Sequence, residues 1–115
     1  MNRLYNLLTV MVLTAGAFFA RQEAVAKVLT GTSGEDRLIG TDRDDRLKGS
    51  RGEDHLKGNG GNDRIWGSRG SDKIIPGEGN DTVYAGYGDD LIYARDTDGV
   101  DYIDCGPRPG RDHTP

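Results

Sequence analysis

Seven aspartates recur at intervals of nine residues along the middle of the chain. They are Asp36, Asp45, Asp54, Asp63, Asp72, Asp81 and Asp90. Carboxylates at a fixed period are typical either of turns or of ligands for cations. Asn, Ser and Gly serve in turns as readily as Asp does. Seven aspartates in seven units therefore favour a ligand role.

Each aspartate is flanked by residues that predict how it is positioned. Glycines stand five, four or two places before it, and an aliphatic residue stands two places after it. These aliphatic residues are Leu38, Leu47, Leu56, Ile65, Ile74, Val83 and Ile92. Glycine adopts the positive φ of tight turns, and strand alternation places the aliphatic residue inward and its neighbours outward. Each unit is therefore predicted to form a six-residue turn followed by a three-residue strand.

Two units make a coil of eighteen residues, and stacked coils give two facing parallel sheets. The sequence thus predicts an all-β, two-sheet β-solenoid of about three and a half coils. Aspartates eighteen residues apart then form two columns, in which like charges repel unless a cation separates them. One inward aliphatic side chain per unit is also a thin core for so many glycines.

Calcium is the cation that best suits such columns. It takes six to eight oxygen ligands in irregular geometry, whereas magnesium requires a tight octahedron and retains its waters. Zinc prefers His and Cys, and the repeats contain only His55.

The segment from Gly31 to Ala94 resembles the RTX family, whose nonapeptide is G-G-x-G-x-D-x-U-x with U a large aliphatic residue. The resemblance implies a parallel β-roll with calcium between the loops of successive coils, held by aspartate side chains and loop carbonyls. The implied ligands are the seven aspartates and the loop residues Gly31, Gly34, Gly49, Gly52, Gly58, Gly60, Gly61, Gly67, Gly70, Gly77, Gly79, Gly86 and Gly88. It implies up to five ions, between Asp36 and Asp54, Asp54 and Asp72, Asp72 and Asp90, Asp45 and Asp63, and Asp63 and Asp81.

Several loops depart from the family pattern. Arg43 replaces the glycine two places before Asp45. The second glycine is replaced by Thr32, Thr41, Ser50 and Ser68, and the first by Pro76 and Ala85. We expect sites that involve Asp45 to be weak or empty.

Residues 1–26 have the features of a secretory signal peptide with a helical apolar region. Arg3 precedes an apolar run from Leu4 to Ala20, and residues 24–26 form an A-x-A cleavage site. Cleavage after Ala20 is disfavoured by Phe18 three residues before the cut, and an uncleaved anchor is the remaining alternative. The mature chain is predicted to be secreted or held at the cell surface, with no membrane span.

Length and charge limit the remaining possibilities. With 115 residues, 34% of them hydrophobic, the chain has room for at most one domain. Its net charge of -4, with bases interleaved among acids, argues against nucleic acid. We divide it into the signal peptide, repeats at 31–94, and a capping strand and tail at 95–115.

The C-terminal part resembles the end of small secreted bacterial RTX-like proteins. The stretch from Asp101 to Asp104 is predicted to form a last strand that caps the solenoid. The lone Cys105 suggests an intermolecular disulfide, a free thiol or a truncated reading frame.

No H-E-x-x-H or G-x-S-x-G motif is present, so the sequence does not predict an enzyme. It predicts an exported calcium-binding module that folds when the ions bind. The alternative is an adhesin, or an ice- or carbohydrate-binding solenoid, with calcium as scaffold. Its binding surface would be the outward stripe of Trp66 and Tyr84, and its partner a cell-surface polysaccharide or protein.

Overall fold

The computed structural model describes residues 25–95 and 99–107, so the predicted signal peptide lies outside it except for its last two residues. The described residues form strands joined by tight turns. In chain order these are β1 (Val28–Thr30), β2 (Arg37–Ile39), β3 (Arg46–Arg51), β4 (His55–Asn59), β5 (Arg64–Arg69), β6 (Lys73–Gly77), β7 (Thr82–Tyr87), β8 (Leu91–Ile92) and β9 (Tyr102–Asp104). Within these residues no helix is long and apolar enough to cross a membrane.

Alternate strands build two parallel sheets. One has the order β1-β3-β5-β7-β9 and the other the order β2-β4-β6-β8. Leu47 pairs with Ile65, and Ile65 pairs with Val83, each step being eighteen residues. The fold is therefore a two-sheet parallel β-solenoid of about four turns, as the period predicts.

The core is the predicted column of aliphatic side chains. Leu47, Leu56, Ile65, Ile74 and Val83 are at most 1% exposed. The residues at the two ends of the column, Leu38 and Ile92, are only partly buried and pack against this cluster. Alternation within each strand thus fixes which side chains face the interior and holds the aspartates at one edge of it.

The central strands are longer than predicted. β3, β5 and β7 each have six residues because the loop backbones also pair between coils, as at Ser50 with Ser68 and Arg51 with Arg69. The prediction of a three-residue strand holds for β2, and β9 lies within the predicted capping strand at residues 101–104.

The roll extends beyond the predicted repeats at both ends. β1 precedes Gly31 and pairs with β3, with Lys27 at the position that aspartate occupies elsewhere. At the other end β9 pairs with β7 so that Val83 faces Ile103, a step of twenty residues. Two extra residues in the last coil are thus accommodated in the connection, and the ladder keeps its register.

Candidate metal centre

Seven glycine-rich loops lead into the strands, and we number them by the aspartate that ends each one. Loops 1 to 7 are residues 31–36, 40–45, 49–54, 58–63, 67–72, 76–81 and 85–90. Odd-numbered loops precede the strands of the four-stranded sheet, and even-numbered loops precede β3, β5 and β7. The loops therefore stack in two columns, and successive aspartates of a column lie one coil apart.

Two positions in loops 3 to 7 have left-handed backbone. In loop 3, for example, φ is 89° at Ser50 and 106° at Gly52, four and two residues before the aspartate. Asn59 and Ser68 also have positive φ, at 82° and 85°. Serine and asparagine thus adopt at these positions the conformation that glycine adopts in loops 6 and 7.

The first glycine of a loop is needed for a different reason from the predicted one, which was positive φ. Gly49, Gly58 and Gly67 do not have positive φ. A Cβ on Gly58 would collide with Oδ2 of Asp63 and with the carbonyl oxygen of Pro76 in the next coil. The absence of a side chain allows these two oxygens to approach the same point of the backbone. This is a requirement for close approach rather than for backbone conformation.

The aspartates form ladders along both columns. The backbone amide of Asp45 donates to Oδ1 of Asp63 at 2.7 Å, and the amide of Asp54 donates to Oδ1 of Asp72 at 2.9 Å. The even-numbered column continues past the repeats, because the amide of Asp81 donates to Oδ1 of Asp101 at 3.0 Å. From Asp45 to Asp101, one oxygen of each carboxylate in the columns therefore accepts a hydrogen bond from the preceding coil.

The second oxygen has no such partner in the central loops. Asp54, Asp63 and Asp72 are at most 1% exposed, yet their Oδ2 atoms accept no hydrogen bond. Oδ2 of Asp90, in the half-buried loop 7, is equally bare. An ionised oxygen left unpaired in the interior is costly, so these atoms indicate a missing cationic partner.

The protonation of these carboxylates reflects that cost. Burial raises the pKa of Asp63 to about 7, with the charges of Asp81 and Asp45 adding to the effect and a backbone hydrogen bond opposing it. Burial likewise raises the pKa of Asp72 to about 6. It also raises the pKa values of Asp54 and Asp90. Without a cation, the folded chain opposes ionisation of these groups.

Loops 1 and 2 are arranged differently. The backbone amide of Thr32 donates to Oδ2 of Asp36 at 2.6 Å, and its hydroxyl donates to the same oxygen at 3.0 Å. In loop 2 the amide and hydroxyl of Thr41 contact Oδ2 of Asp45 in the same way. These two carboxylates are satisfied by their own loops. In the sequence both threonines stand out only as departures from glycine.

A second ladder in the even-numbered column was not predicted. Oδ1 of Asp44 accepts the amide of Asn62 at 2.7 Å, and Oδ1 of Asn62 accepts the amide of Asn80 at 2.9 Å. Oδ1 of Asn80 in turn accepts the amide of Val100 at 2.8 Å. These side chains stand just before the aspartates and point the opposite way along the stack. The eighteen-residue spacing of Asp44, Asn62 and Asn80 was the available signal.

The donor set fits calcium. In three loops the bare Oδ2 and a carbonyl oxygen of the next coil approach the same point, where a Cβ on the first glycine of the loop would stand. The carbonyl is that of Gly67 for Asp54, Pro76 for Asp63 and Ala85 for Asp72. No three His, Cys, Asp or Glu side chains among the described residues converge as a metal cluster. A cation here must therefore take most of its ligands from backbone oxygens, which suits calcium and does not suit zinc.

The outward aromatic side chains form a ladder of their own. The rings of Trp66 and Tyr84 stack with centroids 6.0 Å apart and an interplanar angle of 13°. Tyr102 extends the row, at 6.0 Å from Tyr84 and 59°. Stacking turns the faces of Trp66 and Tyr84 toward each other, which is the packing expected of neighbouring aromatics on a sheet. The adhesin or carbohydrate-binding alternative stays a prediction.

Acid is expected to favour the ion-free fold. Because the pKa values of Asp63 and Asp72 are raised to about 7 and about 6, the folded chain binds more protons than the unfolded chain between about pH 4 and pH 7. The free energy of unfolding in chelator should therefore fall as pH rises through this range. Far-UV circular dichroism in chelator checks this, and a β signal that grows from about pH 4 to pH 7 would contradict it.

A two-sheet parallel roll whose glycine-rich loops stack aspartates at eighteen-residue intervals defines the class of calcium-binding β-rolls. A family model of the RTX calcium-binding nonapeptide repeat matches four copies in the chain, over residues 30–65, 39–74 and 75–104. The matches cover more than half of the sequence, and the chain belongs to the RTX calcium-binding nonapeptide repeat family. A comparison with curated proteins found no match. RTX repeats bind calcium, proteins that carry them are typically secreted, and the β-roll that they form is typically non-catalytic.

Proposed function

We propose that this protein is an exported, non-catalytic calcium-binding module that folds when several calcium ions bind between its stacked loops. The observation that carries the proposal is the set of buried, unpartnered carboxylate oxygens on Asp54, Asp63 and Asp72. Each of them lies beside a backbone carbonyl of the next coil. A buried carboxylate oxygen that accepts no hydrogen bond and lies close to a carbonyl oxygen is a site for a cation.

The balance of forces supports a fold that depends on ions. The core has one aliphatic side chain per nine residues, while every ordered residue costs about 1–2 kcal/mol of backbone entropy. Buried carboxylates in a column add repulsion and desolvation, as the raised pKa values of Asp63 and Asp72 indicate. Calcium would neutralise both columns, and its binding free energy would add directly to the stability of the folded chain.

The proposed ligands come from two coils at each site. The carboxylates of the stacked aspartates would supply the charged oxygens, and the carbonyls of Gly67, Pro76 and Ala85 would supply neutral ones. Extracellular modules of this kind bind calcium at about 0.1–1 mM. The proposed signal peptide, cut after Ala26, would deliver the chain to a compartment with such concentrations.

The test is a far-UV circular dichroism titration of the chain, from excess chelator to about 10 mM calcium, with magnesium as the matched control. We expect a cooperative rise of β signal with calcium and little change with magnesium. A β signal already complete in chelator at neutral pH, or one that calcium does not change, would overturn the proposal.

A further inference from the structure

We propose that threonine replaces the cation in loops 1 and 2, and that the residue four places before each aspartate decides whether a loop binds calcium. This inference rests on the proposed function and refines it. Under this proposal Thr32 and Thr41 prevent calcium binding in their own loops, so that only some of the stacked loops bind calcium.

The Oδ2 atoms of the first two loops are already occupied by hydrogen-bond donors. Oδ2 of Asp36 accepts both the amide and the hydroxyl of Thr32, at 2.6 and 3.0 Å. Oδ2 of Asp45 accepts the amide and the hydroxyl of Thr41 in the same way. Oδ1 of Asp45 is also taken, because it accepts the amide of Lys27. An ion at either Oδ2 would have to displace two hydrogen bonds.

Carbonyl oxygens of these loops also have donors. The hydroxyl of Ser50 donates to the carbonyl oxygen of Gly31 at 3.4 Å, and Nδ2 of Asn59 donates to that of Gly40 at 2.8 Å. Both donors come from the loop directly above in the stack. The first coil is therefore closed by hydrogen bonds from its own loops and from the next coil.

Side-chain branching explains why the loops fall into two types. Ser50, Asn59 and Ser68 have positive φ, whereas Thr32 and Thr41 do not. A β-branched residue is strongly disfavoured at positive φ. Threonine therefore keeps ordinary backbone geometry and directs its amide and hydroxyl at the carboxylate. Serine, asparagine or glycine takes the left-handed conformation, and Oδ2 is bare in loops 3, 4, 5 and 7.

This rule reduces the number of ions that the family resemblance implies. The five pairs include two, Asp36 with Asp54 and Asp45 with Asp63, in which the first Oδ2 is filled by threonine. The remaining pairs are Asp54 with Asp72, Asp63 with Asp81, and Asp72 with Asp90. We expect calcium between these, above a first coil that needs none.

The gain-of-site test converts loop 2 into an open loop. Thr41→Gly with Arg43→Gly gives the loop glycine at both positions that have positive φ in loops 6 and 7. We expect this double variant to bind one more calcium ion per chain than the wild type in equilibrium dialysis with calcium alone. Arg43→Gly alone is the control for the lost positive charge, and it should leave the number unchanged because Thr41 is retained.

The loss-of-site test closes loop 5. Ser68→Thr places a β-branched residue where φ is 85°. The loop is expected to adopt the closed form and to lose the ion between Asp72 and Asp90. Ser68→Ala is the control, because alanine has neither a hydroxyl nor a branched Cβ. This variant should keep the positive φ and retain the ion. Circular dichroism in calcium establishes that each variant is folded.

The outcomes separate the two proposals. A wild-type chain that binds calcium, together with a Thr41→Gly, Arg43→Gly variant that binds the same number of ions, would overturn the threonine rule alone. An Arg43→Gly variant that gains the ion by itself would also overturn it, since charge rather than threonine would then be the determinant. A wild-type chain that binds no calcium would overturn the proposed function instead. If Ser68→Thr does not fold, the gain-of-site pair decides.

Discussion

Replacing Gly70 with alanine is expected to abolish calcium-dependent folding. Gly70 has φ of 127°, and a Cβ there would collide with the carbonyl oxygen of Gly52 in the coil below. The backbone strain alone amounts to about 1–3 kcal/mol, and relieving the collision would separate two coils whose spacing is set by the sheet. For a roll with so thin a core, we expect no β signal even at about 10 mM calcium.

Gly34→Ala is the matched control, because Gly34 occupies the same position in loop 1 of the same column. It does not have positive φ, and the nearest atom to a new Cβ would be Oγ1 of Thr32 at 3.8 Å. The variant should fold at the same calcium concentration as the wild type. Equal titration midpoints for Gly70→Ala and Gly34→Ala would show that the stacked loops tolerate more separation than the structure indicates.

Asp63→Asn is expected to stabilise the ion-free roll and to remove one calcium ion. Asn keeps an oxygen for the amide of Asp45, which donates to Oδ1 at 2.7 Å. It also places a donor where the bare Oδ2 lies beside the carbonyl oxygen of Pro76. A buried unpaired charge is thereby replaced by a hydrogen bond, so the free energy of unfolding in chelator should rise by about 1–3 kcal/mol.

Asp45→Asn tests the same change where the carboxylate is already satisfied. Both oxygens of Asp45 accept hydrogen bonds, from Lys27 and Thr41, so an amide group must place its NH2 against a donor. Stability in chelator should fall by about 1 kcal/mol, while the number of bound calcium ions stays the same. The fraction of β signal retained in chelator between about pH 4 and pH 7, together with equilibrium dialysis with calcium, measures both quantities. Shifts of the same sign in the two variants would contradict the distinction between bare and closed carboxylates.

Much of the fold could be predicted from the sequence because the chain repeats one nine-residue unit of a turn and a strand. The nine-residue spacing that places Asp63 and Ile65 also places Asp81 and Val83, and a stack that pairs one set correctly pairs every set. The register, the two sheets and the buried aliphatic column were therefore predictable. The strands were predicted too short because the pairing of loop backbones depends on how closely the coils stack.

The ends of the roll and the differences between loops were harder to predict. Lys27 breaks the aspartate pattern while Leu29 keeps the inward position, so β1 was missed. The twenty-residue step to Ile103 breaks the strict period, although the capping strand at Asp101 to Asp104 was predicted. Serine and threonine were grouped together as replacements for glycine, yet Ser50 takes positive φ and Thr32 does not. Threonine differs from serine by one methyl group on Cβ, and the comparison with the family pattern did not distinguish the two residues.

The amide of Lys27 donates a hydrogen bond to Oδ1 of Asp45, directly after the proposed cleavage site. Under the proposed cleavage after Ala26, that amide becomes the α-ammonium group of the mature chain, which carries a positive charge below about pH 8. Maturation would thus create a fixed cation at the first carboxylate of the even-numbered column. In the uncleaved chain the same nitrogen is a neutral amide donor, so cleavage would strengthen this contact and add to the stability of the first coil.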